Sequence, residues 1–263
     1  MIKNAILMML TIIISGTITS TTPVKEEELA VAALSRTVEI PEIESNRDKL
    51  EKAYIAALEE QETIAKAEAL RQEELRQQKQ AEIDYIVSEN IRKENVSFNP
   101  YDLTVTSGIT GEELYNTLLA FSEGSLAEYA WTFADVEAVY GINAFFMIGI
   151  VAEESGWGKS DRAIYQNNLT GHAVYNSYAE GSYFNSPEES IYNTANLLLN
   201  EYLTPGGHSY YGQSIWNVNT DYCLTEDSSA TDTNWAIKIS SIANDLVDYY
   251  HNNVKQLEEV PVL

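Results

Sequence analysis

The chain is poor in the residues that anchor many small folds and cofactors. It has one cysteine, Cys223, so no intramolecular disulfide can form. A catalytic thiol would need a neighbouring base, and the three histidines, His172, His208 and His251, are scattered with no Cys–His signature. Cys223 therefore reads as a small buried apolar residue. Metal-ligand spacing such as His-x-x-x-His is absent from the sequence, so no metal site is expected. Basic side chains are scarce as well. Beyond residue 100 there are only Lys159, Arg162, Lys238 and Lys255 against 22 acidic residues, and the whole chain carries a formal charge of −24. A nucleic-acid binder needs clustered Lys and Arg, so nucleic acid is excluded as a partner, and an acidic surface repels anionic polymers in general. A neutral or zwitterionic polymer is an acceptable one.

Proline and glycine are missing from residues 45–93, where Glu, Gln, Lys, Arg and Ala dominate. That composition predicts a long helix. Leu50, Tyr54, Ala57 and Ile64 begin a heptad-like stripe that Gln61, Glu68 and Arg71 break, so a coiled coil and a single solvated helix both remain open. The region is expected to act as a spacer, with self-association through residues 45–93 as one use of it. Asn99-Pro100 ends the helix, because proline disfavours the α conformation in the residue before it.

The first residues read as an export signal. Lys3 precedes an apolar run, Ala5 to Ser15, too short to span a bilayer, and small residues follow before the polar stretch after Ser20. Cleavage near residue 22 would leave a secreted protein, extracellular or in the cell wall, with no stable membrane anchor. Residues 23–44 then form an acidic linker, 45–97 the helical spacer, 98–255 a globular domain and 256–263 a tail.

In the globular part, Thr110 caps a helix that opens at Gly111. A second helix is expected from Ser125 to Tyr140. A third, starting after Asn143, is almost wholly apolar and stops at Ser155-Gly156, where glycine supplies a left-handed cap. Ser190–Tyr202 and Trp235–Tyr250 are amphipathic. Residues 172–186, rich in Tyr, Asn, Ser and Gly, suggest a small β-hairpin. The fold class is thus α+β and mainly helical.

The chemistry concentrates at Glu153-Glu154, at the end of that third helix. Burial and the negative end of the helix dipole both raise a carboxyl pKa, as a general acid at neutral pH requires. Helical spacing puts Glu154 on the face of Met147, Ile150 and Val151, and turns Glu153 about 100° away, toward solvent. Two surface glutamates at a frayed helix end are the alternative reading of the same residues.

Glu154-Ser155-Gly156-Trp157-Gly158-Lys159-Ser160 resembles the Glu-Ser-Gly-Trp-Gly-x-Ser motif of the bacterial N-acetylglucosaminidase family of peptidoglycan hydrolases, members of the lysozyme-like superfamily. Tyr140-Gly-Ile-Asn143, Asn167-Asn-Leu-Thr-Gly171, Ser186-Pro-Glu-Glu-Ser-Ile191, Tyr202 to Gly207, Asn217 to Cys223 and Trp235-Ala-x-Lys-Ile239 extend the resemblance in order over about 155 residues. Thr170 stands where the family has Phe. The resemblance implies a lysozyme-like domain, hydrolysis of a β-1,4 bond in peptidoglycan glycan strands, and Glu154 as proton donor. It also implies a second carboxylate on the hairpin, for which Glu180 is the candidate; Asn176 stands where many relatives carry Asp. A cleft tyrosine is implied too, best matched by Tyr222, since Ser229 stands where the family's tyrosine would. Trp157, Asn168, Tyr175 and Tyr183 are the candidate substrate contacts, although Trp157 also suits a packing role and Asn168 a turn. A catalytically weak wall-binding module and muramidase bond choice are the alternatives.

Overall fold

The computed structural model describes residues 40–173, 180–222 and 233–261. The chain divides into two units, residues 1–74 and 75–263. Helix α1, Ile40–Glu94, runs through the division, so its last five turns belong with the globular part, and the break falls inside the helix and not at its end near residue 97. Residues 45–74 are exposed throughout, including Leu50, Tyr54 and Ile64. Such a run holds its helical form through propensity and ion pairs such as Lys66–Glu62, and has no buried face.

In the second unit, α2 (Gly111–Leu118), α3 (Ala130–Tyr140), α4 (Ala144–Ser155), α5 (Asp161–Gln166), α6 (Pro187–Leu197), α7 (Ile215–Tyr222) and α8 (Thr233–Tyr249) follow. The architecture is mainly helical. The capping residues explain three of the starts. Thr110 accepts from the Glu113 N–H while Glu113 reaches back to the Thr110 N–H, a capping box. Ser186 caps α6 with Pro187 at its first position, and Asn143 caps α4. Helix α3 begins later than Ser125, after a 3₁₀ turn at Ala127–Tyr129. α6 and α8 end in π-helical turns, Leu198–Leu203 and Tyr250–Val254.

The core is built on α4, in which every residue from Ala144 to Ala152 is buried. Helix α8 packs along it, and the close approach depends on Gly149, where a Cβ would sit 2.7 Å from Ile239 Cγ2. Phe133, Phe146, Leu246 and Tyr250 complete the same cluster.

A small hairpin was expected over 172–186; no strand occurs among the described residues, and residues 174–179 lie outside them. The Ser182 N–H donates to the His172 carbonyl at 3.0 Å, one half of an antiparallel bridge. Asn168 takes the other half: its Oδ1 accepts the His172 N–H, and its Nδ2 donates to the Ser182 carbonyl.

Candidate active site

Helix α4 is fixed at its start by two polar side chains buried in the core. Asn143 Oδ1 accepts from the Phe145 and Phe146 N–H groups, and its Nδ2 donates to the carbonyls of Ser97 and Val105. Glu137, at the end of α3, accepts the N–H groups of Ser107, Gly108 and Ala144 at 2.8, 3.1 and 2.8 Å. A buried carboxylate facing the first N–H of a helix is favoured by the dipole, and three donors compensate its desolvation. A helix held this firmly at one end presents its other end at a fixed place.

That other end carries the two adjacent glutamates. Trp235 Nε1–H donates to Glu154 Oε1 at 2.8 Å. Three residues along the same face of α8, Lys238 Nζ pairs with Glu153 Oε1 at 2.5 Å. Glu153 is thus held in an ion pair at the surface, with 27% of its side chain exposed. Burial pushes the Glu154 carboxyl above its ordinary value of 4.5; the Trp235 bond opposes that, the Glu153 charge adds to it and the Lys238 charge opposes it. With Oε1 engaged, Oε2 faces the Asn167–Gly171 turn, where a Cβ on Gly171 would lie 3.4 Å from it. Glycine keeps the space over that oxygen open.

Behind Trp235 the aromatic rings continue. Tyr222 lies 5.1 Å from it, centroid to centroid, and Tyr202 packs edge-on at 5.5 Å from Tyr222, while Phe146 meets Trp235 from the core side at 6.4 Å. Tyr222 therefore belongs to the neighbourhood of Glu154 through Trp235. Trp235 and Lys238 had been visible in the sequence only as parts of a closing-helix motif. Their spacing of three, on a helix that packs on α4, was the signal that could have paired them with Glu153 and Glu154.

The remaining candidates fall elsewhere. Trp157 stacks on Phe121 at 5.7 Å, adopts a left-handed backbone (φ +61°), and its carbonyl accepts from Ser125 Oγ. A bulky residue in that region is strained, and its contacts are those of a packing residue. Asn168 is buried, and its amide is taken up by His172 and Ser182 as described above. It closes the turn, with both amide hydrogens and Oδ1 engaged there. Glu180 and Tyr183 are exposed and bonded to each other, hydroxyl to carboxylate, at 3.1 Å. The charges that act on Glu154 come from Glu153 and Lys238. Tyr175, Asn176, Ser229 and Cys223 lie outside the described residues. Among the described residues, no three His, Cys, Asp or Glu side chains are grouped to hold a metal ion.

A helical domain with a desolvated, hydrogen-bonded glutamate at the end of its central helix is suited to proton donation. Comparison with known proteins then specifies it. Residues 130–247 match the model of the Glucosaminidase family, described as mannosyl-glycoprotein endo-beta-N-acetylglucosaminidase. Over 151 residues the chain is 28% identical to two proteins of Streptococcus pneumoniae, from strains TIGR4 and R6, both provisionally named endo-beta-N-acetylglucosaminidase. The match takes in 55% of this chain but only 22% and 20% of those proteins, so the chain spans about a fifth of their length. Among solved structures, S. aureus autolysin E in complex with the muropeptide NAM-L-ALA-D-iGLU is 20% identical with a TM-score of 0.46, covering 64% of this chain and 82% of that one. A catalytic mutant of the same autolysin with the disaccharide NAG-NAM is 19% identical with a TM-score of 0.45, over 62% and 79%. The matched stretch, residues 130–247, holds Glu154, Trp235 and Tyr222.

Proposed function

We propose that the domain is a peptidoglycan hydrolase of lysozyme-like fold, an endo-acting β-N-acetylglucosaminidase in which Glu154 is the general acid. The observation that carries this reading is the Glu154 carboxyl itself: desolvated at the end of α4, raised in pKa, and oriented by the Trp235 N–H. A carboxyl raised in this way holds its proton at a pH where ordinary glutamates have lost theirs. Because Oε1 accepts from Trp235, the proton resides on Oε2, on the open side above Gly171, and passes from there to the departing glycosidic oxygen. Tyr222, packed on Trp235, is the proposed cleft tyrosine.

Glu180 is the proposed second carboxylate, activating water for attack on the far face of the sugar ring. The neighbouring Tyr183 hydroxyl would hold it ready. An export signal in residues 1–22 would deliver the domain to the wall, with residues 45–97 as a spacer and residues 45–93 available for self-association. Among the described residues no helix is long and apolar enough to cross a membrane.

The deciding experiment is digestion of purified peptidoglycan, followed by borohydride reduction and mass spectrometry of the fragments. Reduced N-acetylglucosamine ends are expected, and Glu154→Gln should release none because an amide has no proton to give. Reduced muramic-acid ends would assign muramidase specificity instead. A wild-type chain that binds the wall yet releases nothing would make the domain a glycan-binding module.

A further inference from the structure

The neutral surface around Tyr101 and Trp216 stands apart from the rest of this acidic domain. Residues 101–263 contain 22 acidic and four basic side chains, yet residues 96–101 and 209–220 contain no charged residue at all. The two segments are tied together: Leu103 N–H donates to the Gln213 carbonyl, and Ile215 N–H to the Pro100 carbonyl, each at 2.9 Å. Both flanking carboxylates are engaged locally: Asp102 accepts from the Thr104 N–H and hydroxyl, and Asp221, which follows the second segment, accepts from the Ser209 hydroxyl at 2.7 Å.

On this island Tyr101 and Trp216 lie 5.1 Å apart with their rings tilted by 40°, and they are 73% and 45% exposed. Tyr101 is further fixed by its N–H bond to Asn99 Oδ1. The pair sits away from Glu154. Leu103, two residues from Tyr101, accepts the N–H of Asn143 at the start of α4, and Glu154 lies 11 residues on, about 16 Å along the helix. Trp216 opens α7 and Tyr222 ends it, which separates them by about 9 Å along that axis.

We propose that Tyr101 and Trp216 form a second glycan-binding platform, outside the Glu154 cleft, that takes an uncharged N-acetylated sugar strand. Two fixed aromatic faces offer apolar area to the C–H faces of sugar rings while their polar rims stay wet. The surrounding Asn, Gln, Ser and Thr supply neutral hydrogen-bonding groups and no charge. The acidic remainder of the domain turns away anionic polymers, which leaves a neutral glycan as the matching occupant. With the platform on α7, the helix that also brings Tyr222 to Trp235, a polymer held there would be retained close to the cleft. The choice of wall glycan as the polymer rests on the proposed function; the platform itself rests on the aromatic pair and its neutral surround.

The test uses the full chain carrying Glu154→Gln, so that bound polymer is not cut, with insoluble peptidoglycan and the β-1,4-linked hexamer of N-acetylglucosamine as probes. The Tyr101→Ala/Trp216→Ala double variant should bind both about tenfold more weakly, and Trp216→Phe should retain binding. In the otherwise wild-type chain the same double variant should cleave short soluble muropeptides at the parent rate and digest whole peptidoglycan more slowly. Unchanged binding of both probes would overturn the platform, as would an equal loss on short fragments. A dimer in sedimentation that dissociates in the double variant would also overturn it, since a second copy would then cover the pair. If the wild-type chain cut no glycan but binding still depended on Trp216, the platform would stand and the hydrolase reading would fall.

Discussion

The indole N–H of Trp235 and the Oε1 of Glu154 are 2.8 Å apart although the residues are separated by 81 positions in the chain. This bond decides which carboxyl oxygen is free to carry a proton. Trp235→Phe keeps a ring against Tyr222 and Phe146 and removes only the donor. We expect turnover to fall about tenfold, the worth of one hydrogen bond to a group that becomes charged. The Trp235 bond favours the ionised carboxylate, so its loss should also move the alkaline limb of the pH–rate profile upward. Both are read from kcat/KM across pH on soluble glycan fragments.

Glu153 and Lys238 act on the same carboxyl with opposite signs. Glu153→Gln removes a negative neighbour, lowers the Glu154 pKa and should draw the alkaline limb to lower pH, with most activity kept on the acid side. Lys238→Met removes the positive neighbour and should push the limb the other way. Shifts in the same direction for both variants would mean that the pair does not tune Glu154.

The raised pKa of Glu154 also links stability to pH. The folded chain holds this proton more tightly than the unfolded one, so the contribution is complete below the unfolded carboxyl range, about pH 4. It is lost as pH rises through the folded value. Glu154→Gln cannot ionise and still accepts from Trp235. Its melting temperature should therefore match the parent's near pH 4 and exceed it increasingly toward neutral pH, measured by circular dichroism.

Much of this arrangement was legible in the residues and some of it was not. Thr110 marked a helix start because capping chemistry is local, and the apolar run 144–152 identified α4 by its composition; α6 begins at Pro187, ahead of the expected Ser190, because Ser186 caps it. The short helices α5 and α7 escaped notice, since six and eight residues carry too little periodicity. Where a hairpin was expected, no strand occurs among the described residues, and between His172 and Ser182 the Asn168 side chain takes the place of one backbone partner, which turn composition cannot reveal. Glu154 was found through its helix and motif. Its partner was not, because a contact between α4 and α8 depends on packing.

Glu137 is the polar residue at the other end of α4 that spacing alone did not single out. It accepts three backbone N–H groups from a buried position. Glu137→Ala would leave those donors without partners inside the core, and we expect a loss of ~3 kcal/mol in urea unfolding. Since the N–H of Ala144 is among them, the start of α4 should loosen and activity should fall with stability.

The last prediction concerns where the globular unit begins. Arg92, near the end of α1, grips both carboxylate oxygens of Glu113 at 2.8 and 3.0 Å, donates to the Gly108 carbonyl, and is itself held by Glu89. Asn90 and Glu258 exchange a reciprocal pair of hydrogen bonds, Lys255 pairs with Glu94, and Ile86 is buried. A chain beginning at Leu75 keeps all of these and should melt with the full-length domain. One beginning at Val96 removes the guanidinium and leaves Glu113 half-buried without its cation. Breaking such a pair from one side costs about 3 kcal/mol, which for a domain of this size lowers the melting temperature by roughly 6–12 °C. Arg92→Met in the longer chain should reproduce a large part of that drop. Equal melting temperatures for the two truncations would show that the final turns of α1 contribute nothing to the unit.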